Sequence, residues 1–596
     1  MKSLLTFITT LSFYSPLLHC QQVSDLFAPE QGQADNKQLK TQTIRPASDL
    51  IKSRYAKEFM VVSAHPEASK AAYKVLEQGG NAIDAMVTVQ TVLGLVEPQS
   101  SGLGGGAFLV YYDSQNNKLT TFDGRETAPL DAHSELFLKE DAQPMAFFDA
   151  VVGGRSVGTP GTVKLLAEVH KKYGKKKWLS LLSPAIQLAG NGFNVGPRLA
   201  NAVKRDEKYL SSDDSAYQYF FPDGRAIQAG QQLKNPAYKN TLVALAKHGG
   251  DYFYNSDISQ TIVDKVKQAS NPGFLSQKDF SDYKVIERQA VCSPYKTYEV
   301  CGMGPPSSGA TSIAQILGIL EPFGLSQRSS NSAETWQLIA DASRLAFADR
   351  GQYIADPAFV DWPKAMLNKH YLRSRSKLIT PGTALQGVSP GVPDAKFYAA
   401  YQAGKSIEVP STSHFVIVDK DKNIVSMTST IENGFGSRLM VNGFLLNNEL
   451  TDFSFRAHHK GKLVANRVEP GKRPRSSMAP TIVFKKDTNG LKQPYVALGS
   501  PGGSRIINYV ANSLIAILDW EKTPQEAFDQ AHIVNRFGVM DIEANSSAEK
   551  LKDVFEGMGY QTKVKDLNSG LHGVIFTEQG LLGGADKRRE GLVLGK

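Results

Sequence analysis

Two threonines, Thr412 and Thr430, bracket a pair of β-rich runs that flank a turn of Asp421, Lys422 and Asn423. A hairpin with its turn centred on Asp421 sets Thr412 opposite Thr430 at the open end, to within a residue or two of register. A threonine hydroxyl alone is a weak nucleophile, and two ordinary strand threonines are the simpler reading. A cut just before Thr412 would change that chemistry. The freed α-amine, with a reference pKa of about 7.7–8.0, could then act as general base to the neighbouring hydroxyl. Further on, Gly499-Ser-Pro-Gly502-Gly503-Ser-Arg505 opens a helix that ends near Trp520. Adjacent glycines at a helix start expose N–H groups that can bind an anion or a developing oxyanion. A plain glycine turn is the alternative. Between these segments, Arg473-Pro-Arg475-Ser476-Ser477-Met478 leads into a further strand.

Positioning such groups requires strands held between helices. Met60 to Ala64 is strand-like, and residues 65–78 and 81–95 carry helical spacing broken by Gly79-Gly80. The glycine-rich run Ser101 to Gly106 leads into a strand over Ala107 to Tyr112, and residues 160–375 are mainly helical. Lys171, Lys172, Lys175, Lys176 and Lys177 read as a solvated helix end or turn. Residues 373–411, rich in Pro, Gly, Ser and Lys, read as a linker, followed by strand-rich stretches over 414–449 and 480–498 and a helix over 504–520. The alternation predicts an α+β fold with strands between helical layers.

The 596 residues are 41% hydrophobic with a net charge of +9, which excludes wholesale disorder and leaves nucleic acid, a membrane surface or an anionic substrate to account for the basic balance. No phosphate-binding Walker loop, zinc-binding H-E-x-x-H or G-x-S-x-G elbow occurs, and the eleven histidines lack zinc-ligand spacing. Gly102 to Ala107 fits G-x-G-x-x-A in form but precedes a strand where a dinucleotide fold needs a helix. No cofactor or metal is called for. Lys2 and the apolar stretch Leu4 to Leu18 read as a signal peptide over residues 1–20, with a mobile leader over 21–55. Lipid anchoring at Cys20 is the alternative to plain cleavage. No other run is long and apolar enough for stable membrane insertion, so a periplasmic or secreted protein is expected. Cys292 and Cys301, on two short strands joined by a turn, could close a disulfide in an oxidising compartment or remain two buried thiols.

Taken together the motifs resemble those of the γ-glutamyltranspeptidase family, a branch of the N-terminal nucleophile hydrolases. The resemblance runs from about Met60 to the carboxyl end. It rests on Asn81-Ala-Ile-Asp84-Ala85, Ser101 to Gly106, Asp123-Gly-Arg125-Glu126, Pro305-Pro-Ser-Ser-Gly309, Thr412-Ser-His414, Asn447 to Phe453, Ser476-Ser477-Met478 and Ser500 to Arg505. It implies a four-layer αββα sandwich, with a helical portion in the large chain, made as a precursor that cleaves itself between Ser411 and Thr412. The products would be a large chain (56–411 after the leader) and a small catalytic chain (412–596), held as a heterodimer.

By the same resemblance Thr412 attacks the γ-amide of glutathione or a similar γ-glutamyl donor. Thr430 orients it, and Gly502 and Gly503 form the oxyanion hole. Arg125 pairs with the donor α-carboxylate beside Ser476 and Ser477. Glu449, Asp452 and Glu432 form the α-amino pocket, and water, an amino acid or a dipeptide takes the acyl group. Glu432 stands where many members carry Asn, and no tyrosine lies between Asp452 and Ser476, so the usual tyrosine-bearing lid is shortened or rearranged. The alternatives are an acylase of glutaryl β-lactam side chains with the same fold, which has less need of Asp452 and Glu449, and an uncleaved binding protein. Residues 456–475 carry seven Lys or Arg against Glu469. The expectation is that this stretch rims the pocket and draws in an anionic donor, and not nucleic acid.

Overall fold

The computed structural model describes residues 53–404, 411–487 and 490–596. The signal and nearly all of the leader fall outside the described residues, though the leader's last residues already belong to the strand Ser53–Ala56.

Two seven-stranded antiparallel sheets carry the molecule. The first runs Leu592–Gly595, Met60–Ser63, Ser413–Val418, Ile424–Thr430, Gly106–Asp113, Lys118–Gly124 and Ile286–Arg288. The second runs Ser53–Ala56, Gly580–Ala585, His572–Thr577, Lys492–Gly499, Thr481–Lys486, Tyr298–Gly302 and Val291–Tyr295. Side chains on a strand alternate between faces, and the cores divide accordingly. Val61, Leu109, Phe415, Ile417, Val425 and Met427 pack with the helices Pro66–Glu77 and Ala82–Val96. Val62, Val110, Val416, Val418 and Ile424 face the second sheet through Ile482, Ala497 and Val574. The helices Gly309–Leu320 and Ile506–Leu518 cover that sheet's outer face, and Ala333–Tyr353 packs against Gly309–Leu320. The four layers are therefore αββα.

Several sequence motifs prove to be scaffolding. Asn81 caps Ala82–Val96 in a reciprocal box with Asp84, each side chain accepting the other's N–H at 2.9 Å. Asp84 also accepts from the N–H groups of Lys175 and Lys176 at 3.0 and 3.1 Å, which seats the lysine-rich turn while Lys172 and Lys175 reach Glu287 and Asp421 at the surface. Cys292 and Cys301 lie directly opposite on their hairpin and are disulfide-bonded.

The described part of the expected linker 373–411, residues 373–404, is not loose. It begins inside the helix Lys369–Ser376, includes Ala395–Ala400, and buries Ile379, Ala384 and Val388 in the core. Polar side chains of the helix Ala333–Tyr353 satisfy its backbone: Asp341 accepts from the Leu385 N–H, Asp349 accepts from the Gly391 N–H, and Arg344 donates to the Leu385 carbonyl. Composition shows missing periodicity, but not that a neighbouring helix supplies the hydrogen bonds.

Candidate active site

The hairpin of Ser413–Val418 and Ile424–Thr430 pairs Ser413 with Ser429 and His414 with Thr428. One step outward Thr412 meets Thr430, and its hydroxyl donates to the Thr430 hydroxyl oxygen at 3.0 Å. Thr430 Oγ1 also accepts the Glu432 N–H at 2.9 Å. Thr412 is buried and holds φ at 99°. For a β-branched residue that is a strained conformation, costing roughly 1–3 kcal/mol. The peptide groups around it are pinned: the Ser411 carbonyl accepts the Gly502 N–H at 3.3 Å, and the Thr412 carbonyl accepts from Arg589 Nη1 at 2.9 Å. The Ser411 hydroxyl donates to the Gln99 carbonyl at 2.8 Å.

Glycine is required at two points of this corner. Gly502 has φ 137°, and a Cβ there would lie 2.6 Å from the Tyr509 ring. A Cβ on Gly105 would lie 2.0 Å from the Thr430 carbonyl oxygen, so the glycine-rich run lets one strand start against the other. It is a close-approach motif. His414, of the Thr-Ser-His motif, is buried with Nδ1 2.9 Å from the Thr428 hydroxyl, and burial beside His572 pushes its pKa well below the usual value. It stays neutral and structural.

Opposite the corner stands a charged wall. Arg125, just past the strand Lys118–Gly124, forms buried ion pairs with Glu449 and Asp452 on the short turn Glu449–Asp452, and donates through Nε to the Pro474 carbonyl at 3.2 Å. Burial alone would lower the Arg125 pKa, but the Glu449 and Asp452 carboxylates outweigh it and hold the guanidinium above its ordinary value. Glu432 accepts from the Asn448 amide at 2.7 Å. Ser476 and Ser477 follow, held from behind by residues of Pro305–Gly309 and by Arg350.

Corner and wall close on a cleft of about 260 Å³. Thr412, Thr430, Arg125, Glu432, Glu449, Asp452, Ser476, Ser477 and Gly503 line it together with Met478 and Ile506. Ser411 and Gly502 stand immediately behind. The arrangement puts a hydroxyl at one end and, at the other, one guanidinium, two hydroxyls and three carboxylates. It can hold a molecule carrying both a carboxylate and an ammonium group, with its far end presented to Thr412.

The basic segment does not form the expected rim. Arg456, Lys460 and Lys462 are exposed, but Lys472, Arg473 and Arg475 are buried. Arg473 pairs with Asp123, while Arg467 and Lys472 share Glu469. Charge counting along a segment overstated its external field because three of the seven cations are buried and the Asp123 partner of Arg473 lies far away in sequence.

Three charged residues near the site were given no role by the sequence reading. Arg589 sits in a Lys-Arg-Arg run that resembles a solvated surface; burial, then the Arg198 charge, draws its pKa down to about 9. Arg350 lies in a helix buried on nearly every side, where any charge signals an interior partner. Glu126, next to Arg125, is fully buried, and burial with the Glu449 charge raises its pKa well above the usual carboxyl range. Among the described residues, the one His/Cys/Asp/Glu group spaced for a metal is Cys292, Glu299 and Cys301, whose sulfurs are already joined to each other.

The family model described as Gamma-glutamyltranspeptidase matches residues 68–595. The chain belongs to that family. Among its relatives is the glutathione hydrolase proenzyme of Bacillus subtilis (strain 168), 35% identical over 90% of this chain and 92% of that one. Another is the acylase ACY 1 proenzyme of Pseudomonas sp. (strain SE83), 30% identical over 88% and 91%. The crystal structure of cephalosporin acylase from Bacillus halodurans superposes with a TM-score of 0.80 at 24% identity, covering 92% of this chain and 98% of that one. This γ-glutamyltranspeptidase family member thus has the sandwich of the N-terminal nucleophile hydrolases. Its glutathione-hydrolase and acylase relatives share that scaffold, so substrate choice is argued from the pocket.

Proposed function

We propose that the chain is a glutathione hydrolase and γ-glutamyltransferase that matures by cutting itself between Ser411 and Thr412. The observation that carries the proposal is the Thr412 hydroxyl, hydrogen-bonded to Thr430, facing a wall where Arg125 stands among Glu449, Asp452, Ser476 and Ser477. In the first reaction the Thr412 oxygen adds to the Ser411 carbonyl carbon, whose oxygen already accepts the Gly502 N–H. Collapse breaks the peptide C–N bond, the hydroxyl proton passing to the departing Thr412 nitrogen, and leaves an ester. Water then hydrolyses it to a Ser411 carboxylate and a free Thr412 α-amine. The strained φ of Thr412 favours the step, because the cut releases it.

In the second reaction the α-amine takes the Thr412 hydroxyl proton as the oxygen attacks the donor's γ-carbonyl. Gly502 and Gly503 stabilise the oxyanion. The amine leaves with a proton, and water or an amino acid or dipeptide amine releases the γ-glutamyl group. Arg125, Ser476 and Ser477 take the α-carboxylate. Glu449, Asp452 and Glu432 take the α-amino group, whose charge matches the excess of carboxylates. That excess argues against a glutaryl donor, which has no α-amine. No helix among the described residues is long and apolar enough to cross a membrane. The Cys292–Cys301 disulfide supports the inference of export to an oxidising compartment, with residues 1–20 as the signal.

Denaturing electrophoresis of wild type and Thr412→Ala tests this directly. Two chains, the smaller beginning at Thr412, are expected from the wild type, and one inactive chain from the variant. An intact, inert wild type would leave the binding-protein alternative standing.

A further inference from the structure

We infer that Arg350 is a positioning residue for the donor α-carboxylate, acting through the Ser477 hydroxyl; this rests on the γ-glutamyl reading of the pocket. Arg350 occupies the last turn of the helix Ala333–Tyr353, is 2% exposed, and stands behind the pocket wall. Its Nη2 donates to Ser477 Oγ at 2.7 Å, and its Nε donates to Ser308 Oγ at 2.7 Å. Ser308 passes the contact on: its hydroxyl and its N–H donate to the Ser476 carbonyl at 2.7 and 2.8 Å. Ser307 donates to the Met478 carbonyl at 2.6 Å, and the Ser476 N–H donates to the Pro306 carbonyl at 3.0 Å. The Arg350 carbonyl in turn accepts from Arg475 Nη1 at 3.2 Å. One guanidinium thus ties down both pocket serines, Ser477 directly and Ser476 through Ser308. Pro305-Pro-Ser-Ser-Gly309 acts as the bracket between them.

The chemistry follows from the inventory of donors. A hydroxyl has one proton and two lone pairs, whereas a guanidinium only donates. With Arg350 donating into a lone pair of Ser477, the hydroxyl's proton must go to another acceptor. In the donor complex that acceptor is a carboxylate oxygen. A cationic donor on its oxygen also polarises the hydroxyl and strengthens the bond it gives. Arg125 would supply the direct ionic contact, and Arg350 would set the direction of the second one.

The test uses the full-length chain with γ-glutamyl-p-nitroanilide and with the same compound carrying an α-carboxamide in place of the α-carboxylate. Arg350→Gln is expected to raise the KM of the carboxylate donor by roughly tenfold or more, with kcat changed less than about threefold. The preference for carboxylate over carboxamide should shrink in parallel. Ser477→Ala should behave similarly, and combining the two should add little, because each removes the same contact. An unchanged KM in Arg350→Gln, or fully additive losses in the double variant, overturns the inference. Arg350→Lys serves should Arg350→Gln fail to fold. It keeps the charge but not the fork that reaches two hydroxyls, so an intermediate KM with a wild-type melting transition is expected, and a wild-type KM overturns the inference. A wild type that is cleaved but inert on both donors overturns the γ-glutamyl reading itself, a result distinct from an active wild type with an indifferent Arg350→Gln.

Discussion

The two sides of the cleft are built differently. The corner at Thr412 is held mainly by main-chain groups: the Gly502 N–H on the Ser411 carbonyl, the Glu432 N–H on Thr430, and a positive φ at Thr412 itself, with the Arg589 side chain adding a bond to the Thr412 carbonyl. The wall at Arg125 is held by buried side-chain charges, with Glu449, Asp452 and Arg473 among them. The contrast separates two kinds of work. On the proposed reading, a corner made from backbone would act on the chain's own peptide bond before any ligand arrives. A wall made from ion pairs would recognise charge, its carboxylates and guanidinium satisfying one another until a zwitterion of matching shape replaced those contacts.

The contrast is broken most severely at Gly502. Gly502→Ala places a Cβ against the Tyr509 ring and forces a side chain into positive φ. Both self-cleavage and turnover should fall together, by about 10²–10³-fold as when an oxyanion donor is lost. Time courses of cleavage and donor hydrolysis on the same preparation check this, and loss of one alone would show that the two reactions do not share the hole. Arg125→Lys probes the other side. Cleavage should proceed at its normal rate while the donor KM rises on the order of tenfold or more, since an ammonium cannot make the forked contact. Slow cleavage in this variant would mean that wall and corner are one unit.

Glu126→Gln gives the smallest effect and concerns the wall's stability. A carboxyl whose pKa is raised by folding contributes fully below its unfolded pKa of about 4.3 and loses that contribution as pH rises towards the folded value. The amide does not titrate. The variant should therefore match the wild type in acid and melt a few degrees higher at neutral pH. Melting curves across pH 4–8 with parallel profiles would show that Glu126 is ionised in the native protein.

The corner was more legible in the sequence than the wall's supports. An Asp-Lys-Asn turn between two β-rich runs sets the hairpin register by local rules, so Thr430 could be set opposite Thr412 from spacing alone, to within a residue or two. The glycines at 502 and 503 likewise declare a backbone requirement. Arg350, Arg589 and Glu126 were opaque because their meaning depends on burial and on partners distant in sequence: Arg350 reaches Ser477 across 127 positions and Arg589 reaches Thr412 across 177. The same blindness made Lys472 and Arg473 look like surface charge. It also made residues 373–404 look loose, because the side chains that complete their backbone belong to another helix.

The strand order carries one further consequence. In the first sheet Leu592–Gly595 precedes Met60–Ser63, which is followed by Ser413–Val418. In the second, Ser53–Ala56 and Tyr298–Gly302 flank strands that all come after residue 411. A cut at 411–412 would therefore leave two polypeptides plaited through both sheets, each lending strands to the other's hydrogen-bond ladders. Dilution cannot part such a pair without unfolding it. Such a cut would be irreversible in topology as well as in chemistry, and neither piece should be expected to fold on its own into half of the native sandwich.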